Sequence, residues 1–237
     1  MLVEGVYDKW IFKAVFLAGG PGSGKTLARK LLLHNFKSLD PDELAVLKMK
    51  RENMSTNFKK RSKAEEERRD VIHTQAKEQM LGGKQKNILQ GRLPIVVDRT
   101  GADYPGLEEH KRKLEDLGYE TKMIFIDTPL NVAHKRNLER KRKMKPEIVD
   151  VFHKKVRSNV DKFRSLFGGN LIIIDSTKPF AEIKSELDVE WKKISRWMKQ
   201  PVNNPKAKKW KDEELKRKDK RITNNLKKVS SEIKRNS

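Results

Sequence analysis

The 237-residue chain is long enough for one α/β domain with an appendage, and its 35% hydrophobic and 37% charged residues imply a compact core under a heavily charged surface. With 55 Lys and Arg against 33 Asp and Glu, the formal net charge is +22, which predicts polyanionic partners such as nucleic acid or nucleotides. Having no Cys and five scattered His, the chain excludes disulfide frameworks and thiolate metal sites.

The longest apolar run, Ala14 to Ala18, is far too short to cross a bilayer. The first residues include Glu4 and Asp8 and lack a signal-peptide pattern, so the expected location is cytoplasmic, the host cytoplasm for a phage-encoded protein.

The run Lys13 to Ala18 predicts a buried strand ended by glycines. A helix is expected over Thr26–Phe36, with Leu27, Leu31 and Leu32 at helical spacing. Ser38-Leu39-Asp40 reads as a short second strand, and Pro41 suits a turn or helix start. From Glu43 to about Leu81 the pattern is long, helical and charged. Leu93 to Asp98 predicts the third strand, and Tyr104–Leu117 an amphipathic helix closed by Gly118. Thr121 to Asp127 predicts the fourth strand, followed by a helix to about Lys141. One helix is expected from Pro146 to Phe167, then a fifth strand, Leu171–Asp175, and a helix over Pro179–Met198.

Strands alternating with helices imply a three-layer α/β fold around a five-stranded parallel sheet. The domain expected is residues 1–198, with a charged helical insertion at about 47–84. Residues 199–237 read as a basic tail, helical or disordered. From 201 to 237 there are 13 Lys or Arg and 5 Asp or Glu, a balance of +8, with a weak apolar stripe at Ile222, Leu226, Val229 and Ile233.

The chemistry starts at Gly19-Gly20-Pro21-Gly22-Ser23-Gly24-Lys25-Thr26, a P-loop spacing between a predicted strand and helix. Glycines let the backbone turn N–H groups inward around phosphates, helped by the N-terminal dipole of the next helix. Residues Gly20 to Thr26 are therefore the expected ATP cradle. Lys25 supplies a cation for the β- and γ-phosphates, and the Thr26 hydroxyl is a ligand for Mg²⁺.

Three classes share this loop. Asp98-Arg99-Thr100-Gly101 fits a GTPase D-x-x-G, yet no base-reading N-K-x-D follows. A motor ATPase needs an acid after the strand-ending Asp, and here Arg99 stands there. A kinase needs a carboxylate near the acceptor hydroxyl and cations over the transferring phosphoryl. Asp40 and Asp42 follow the second strand, and Lys135, Arg136, Arg140, Lys141, Arg142, Lys143 and Lys145 follow the fourth. An Asp42 that merely caps a helix, and a basic cluster that is only a solvated face, are the bland alternatives.

These residues carry a family resemblance. The loop at 19–26, Asp40-Pro41-Asp42-Glu43-Leu44, Ile95 through Tyr104, Met123 through Leu130, Ala133 through Asn137 and Arg140-Lys141-Arg142 together resemble the zeta-toxin-like P-loop kinases, phage members included. The chain is also similar in outline to the kinase domain of phage polynucleotide kinase. The resemblance spans roughly residues 12–178. It implies that Asp42 is the catalytic base and that Arg136, Arg140 and Arg142 are lid arginines. It further implies that Asp98 assists Mg²⁺ or the acceptor. The expected reaction moves the γ-phosphoryl of Mg-ATP to a hydroxyl of a nucleic acid, nucleotide or nucleotide-sugar. The other function class consistent with the charge is an ATP-binding factor that binds nucleic acid through its basic tail.

Overall fold

The apolar runs form five strands: β1 (Lys13–Ala18), β2 (Lys37–Ser38), β3 (Ile95–Asp98), β4 (Glu120–Asp127) and β5 (Leu171–Asp175). In the computed structural model the described residues are 5–8, 10–39, 41–54, 62–79, 83, 85–139, 144–178 and 180–236, with side chains at 41–43, 180–181 and 234–236 set aside. All strands are parallel, in the order β2-β3-β1-β4-β5. The central β1 sets Leu17 opposite both Asp98 of β3 and Ile124 of β4. Every strand therefore delivers its C-terminal end to one edge of the sheet.

Side chains alternate across that sheet, which creates two cores. Phe16, Val97, Met123 and Phe125 face one side. They pack there against α5 (Tyr104–Asp116) and α8 (Val160–Phe167) through Leu107, Leu114, Phe163 and Phe167. Val15, Leu17, Ile124 and Ile174 face the other side. They meet α1 (Lys25–Leu32) and α9 (Phe180–Lys199) through Ala28, Leu32, Leu187 and Ile194. The three-layer α/β architecture expected from the alternating pattern is the one found.

The charged insertion is a helical hairpin. α2 (Pro41–Arg51) and α3 (Lys63–Gln79) share a small core of Ala45, Met49, Ile72 and Ala76, separate from the two main ones. A six-residue helix, α4 (Gln85–Gln90), leads into β3 and was not anticipated. The chain between β4 and β5 forms α6 (Leu130–Glu139), α7 (Pro146–Arg157) and α8.

The single helix expected over 146–167 is broken at Ser158 and Asn159. Asn159 is buried, and its amide donates to the carbonyls of Gly101 (3.1 Å) and Ala102 (3.3 Å). That contact fastens α8 beneath the connection that follows β3, and continuing the α7 axis would carry it away.

The basic C-terminal segment is one 32-residue helix, α10 (Pro205–Asn236). Its first turns dock on the body. Ala207 is buried, Trp210 meets the Phe12 ring edge-on at 5.3 Å, and the Arg92 guanidinium lies 5.6 Å from the Trp210 ring. Gly118 makes room for this. At φ +94 it closes α5, and a Cβ there would stand 3.0 Å from the Ala207 nitrogen.

Candidate active site

β1 ends at Ala18 and the chain turns through the glycine loop into α1. The Gly19 N–H donates to the Thr100 carbonyl at 3.0 Å, and the Arg99 N–H donates to Leu17 at the same distance. These bonds tie the loop to the end of β3. Gly22, at φ +80, passes so close to α6 that a Cβ would stand 2.5 Å from the Ala133 carbonyl oxygen. Gly24 caps α1 at φ +97. A Cβ on Gly24 would meet nothing nearer than Arg136 Nη1 at 4.0 Å, and one on Gly20 nothing nearer than His153 Cα at 3.9 Å. The loop is thus closed below and open above, a shape that fits a chain of phosphates at a helix N-terminus.

Lys25 opens α1, and its ammonium donates to the carbonyls of Gly19 and Gly20, the latter at 3.4 Å. Thr26 follows on the exposed side of the helix. Asp98 ends β3 across from Leu17. Burial pushes its carboxyl above the ordinary carboxylate range, and the nearby charges of Lys25 and Arg29 offset part of that rise. A partly desolvated acid therefore shares the loop with two cations.

Arg136 reaches from α6 to the same place. Its Nη1 donates to Ser176 Oγ at 2.9 Å and to the Ser23 carbonyl at 3.4 Å, while Nη2 donates to the Ser176 carbonyl at 2.7 Å. Beside it a cavity of about 310 Å³ opens between α1 and α9. Leu27, Ala28, Ile174 and Leu187 form apolar walls, and Arg136 and Ser176 its polar edge.

A sequence-family model for zeta toxins matches residues 12–179, well over half of the chain. The chain belongs to the zeta toxin family.

No curated protein sequence matches it. Among solved structures, the PezAT chromosomal toxin–antitoxin system of Streptococcus pneumoniae aligns with TM-score 0.50 and 16% identity, over 81% of this chain and 88% of that one. The AvrRxo1-ORF1:AvrRxo1-ORF2 structure with sulphate ions aligns with TM-score 0.53 and 16% identity, over 70% of this chain and 55% of that one. A gluconokinase from Sinorhizobium meliloti 1021 aligns at 13% identity and TM-score 0.46, over 78% of this chain and 95% of that one. Family membership supports a P-loop kinase, and the structures that align at TM-score 0.50 or above share the fold.

In this zeta toxin family member the expected site residues converge unequally. Gly20 through Thr26, Asp98 and Arg136 meet at one edge of the sheet. Asp42 is the second residue of α2, just past the end of β2, and its side chain lies outside those described. Asp40, Arg140 and Arg142 fall outside the described residues.

Several polar residues were missed. Thr128 and Ser176, both buried, follow β4 and β5, and their hydroxyls lie 2.6 Å apart. Thr128 also donates to the Ser23 carbonyl at 3.3 Å. His153 of α7 donates to the Thr128 carbonyl at 2.9 Å, and Arg157 grips both oxygens of Asp127 at 2.5 Å. Asn137, 2% exposed, donates to the Met144 carbonyl at 2.8 Å and accepts from its N–H at 3.0 Å. It thereby joins the two ends of the segment that carries Arg140 and Arg142. The signal available was a polar residue directly after each strand, where α/β folds bind ligands.

Among the described residues no helix is long and apolar enough to cross a membrane, and no group of three or more acids or histidines forms a protein-only metal cage.

Proposed function

We propose that this chain transfers the γ-phosphoryl group of Mg-ATP to a hydroxyl of a nucleic acid, nucleotide or nucleotide-sugar. The observation that carries the proposal is the meeting of Lys25, Asp98 and Arg136 around an open phosphate cradle at the helix N-terminus.

The apolar cavity beside Arg136 takes the base and ribose, which directs the phosphates along the loop. Backbone N–H groups from Gly20 to Thr26 hold the β- and γ-phosphates, and Lys25 leaves its carbonyl partners to neutralise them. Mg²⁺ supplies charge neutralisation between those phosphates; a site with few protein ligands suits it, since this ion is usually held by one or two protein oxygens plus phosphates and water. Thr26 and Asp98 are the residues to hold it. Asp42, at the head of α2, accepts the proton of the acceptor hydroxyl as its oxygen bonds to the γ-phosphorus. The bond from that phosphorus to the bridging oxygen breaks and ADP leaves. Arg136, Arg140 and Arg142 hold the charge spread over the transferring group.

The test is γ-labelled ATP offered with DNA and RNA 5′-hydroxyl ends, nucleosides, nucleotides and nucleotide-sugars, with Lys25→Ala as the blank. Label in one acceptor class, absent from the blank, supports the proposal. ATP turnover that no acceptor changes would instead favour a nucleotide-switched binding factor.

A further inference from the structure

The outer half of α10 has no counterpart in the kinase chemistry. Lys218, whose ammonium lies 4.7 Å from the Tyr7 ring, marks the last turn against the body. From Asp219 to Ile233 every residue is exposed. At 1.5 Å per residue the helix runs on for roughly 27 Å.

This stretch repeats every seven residues. Asp219-Lys220-Arg221-Ile222-Thr223-Asn224-Asn225 is followed by Leu226-Lys227-Lys228-Val229-Ser230-Ser231-Glu232 and then by Ile233-Lys234-Arg235-Asn236. Ile222, Leu226 and Val229 are 54%, 65% and 52% exposed, and their spacing of four then three is that of a coiled-coil seam, which Ile233 continues in sequence. The two full heptads place their basic pairs, Lys220-Arg221 and Lys227-Lys228, about 130° from the seam on either side. The positions bordering the seam are Thr223, Asn225, Ser230 and Glu232, three of them uncharged.

We propose that this seam pairs with the same seam of a second copy of the chain, antiparallel, as a reversible homodimer contact. The charge pattern selects that occupant. Two copies meeting along Ile222, Leu226 and Val229 bring no lysine against lysine, because the basic pairs stand on the outside. An acidic partner helix would find few cations beside the seam to greet it. A bilayer would need a wider apolar face with aromatic anchors, and no Phe, Trp or Tyr occurs after Trp210. Nucleic acid would use the lysines and leave the aliphatic seam exposed. The antiparallel direction keeps apart the bodies of two chains that each carry a net charge of +22. The seam is shorter than the three or four heptads of a self-sufficient coiled coil, so the contact is weak and concentration-dependent.

Sedimentation equilibrium of the full chain tests this over a range of protein and salt concentrations. Wild type is expected to rise from 27.6 kDa toward twice that mass, and to associate more strongly as salt screens the like-charged bodies. Leu226→Lys, at an exposed position, is expected to remain monomeric, whereas Ser231→Lys, on the opposite side of the helix, should dimerise like wild type. A wild type that stays monomeric throughout overturns the proposal, as does a dimer that survives Leu226→Lys. Leu226-dependent binding of monomeric wild type to phosphatidylserine vesicles, or to an acidic helical peptide, would overturn it in favour of that occupant.

Discussion

Arg136 holds Ser176 at two atoms, its Nη1 on the hydroxyl at 2.9 Å and its Nη2 on the carbonyl at 2.7 Å. The pair bridges the helix after β4 to the turn after β5, and a third bond at 3.4 Å reaches the Ser23 carbonyl inside the phosphate loop. A lysine can make one such contact and cannot reproduce the fork. Arg136→Lys is therefore expected to weaken nucleotide binding about tenfold, since hydrogen bonds to charged groups contribute roughly 1.5–3 kcal/mol. Titration calorimetry with a non-hydrolysable ATP analogue checks this, and unchanged affinity would remove Arg136 from the nucleotide site.

Asn137 clamps the backbone of Met144 through both ends of its amide. Asn137→Ala leaves the partly buried N–H and carbonyl of Met144 without these partners, at a cost of about 1–3 kcal/mol. A melting temperature lower by several degrees is expected. If Arg140 and Arg142 act on the phosphoryl group, kcat falls while KM for ATP moves little. A loss of stability with normal kcat would make the clamp structural alone.

Burial raises the Asp98 carboxyl while Lys25 and Arg29 pull it down, and burial is the larger effect. A carboxyl with a raised pKa in the folded state favours folding when protonated, and that contribution is lost as pH rises through the folded-state value. At neutral pH its charge is a cost of folding that the bound metal would relieve. Asp98→Asn is thus expected to melt somewhat higher than wild type without ligand, and to lose tenfold or more in Mg²⁺-dependent turnover. Equal loss of stability and turnover would contradict this reading.

His110 lies edge-on to Phe16 at 5.9 Å, and burial, with Arg99 and Lys113 nearby, lowers its pKa from 6.5 to about 4. A histidine with a depressed pKa supports the fold while neutral, and that support is lost as pH falls from about 6.5 toward 4. The loss is on the order of 1–3 kcal/mol. Denaturant melts at pH 7 and pH 4.5 should show a smaller difference for His110→Phe than for wild type. An equal difference would clear His110 of the effect.

The sheet could be read from sequence because its strands are short apolar runs between glycines and acids; β1 and β5 fall where expected. The phosphate loop was equally legible, because glycine, lysine and threonine at fixed spacing state their geometry. What escaped depends on neighbours distant in sequence. Asn159 breaks a helix because Gly101 lies beneath it, and nothing local announces that. Thr128 and Ser176 touch because β4 and β5 are adjacent, a fact of strand order. The inner half of α10 reads as a polar tail until Phe12 and Gly118 are seen to receive Trp210 and Ala207.

The most direct test of the proposed chemistry is Asp42→Asn, measured for both phosphoryl transfer to the accepted substrate and affinity for Mg-ATP. Lost transfer with near wild-type ATP affinity is the predicted result, because the carboxylate meets the acceptor proton and not the nucleotide. Transfer at the wild-type rate would contradict the account and remove Asp42 as the base.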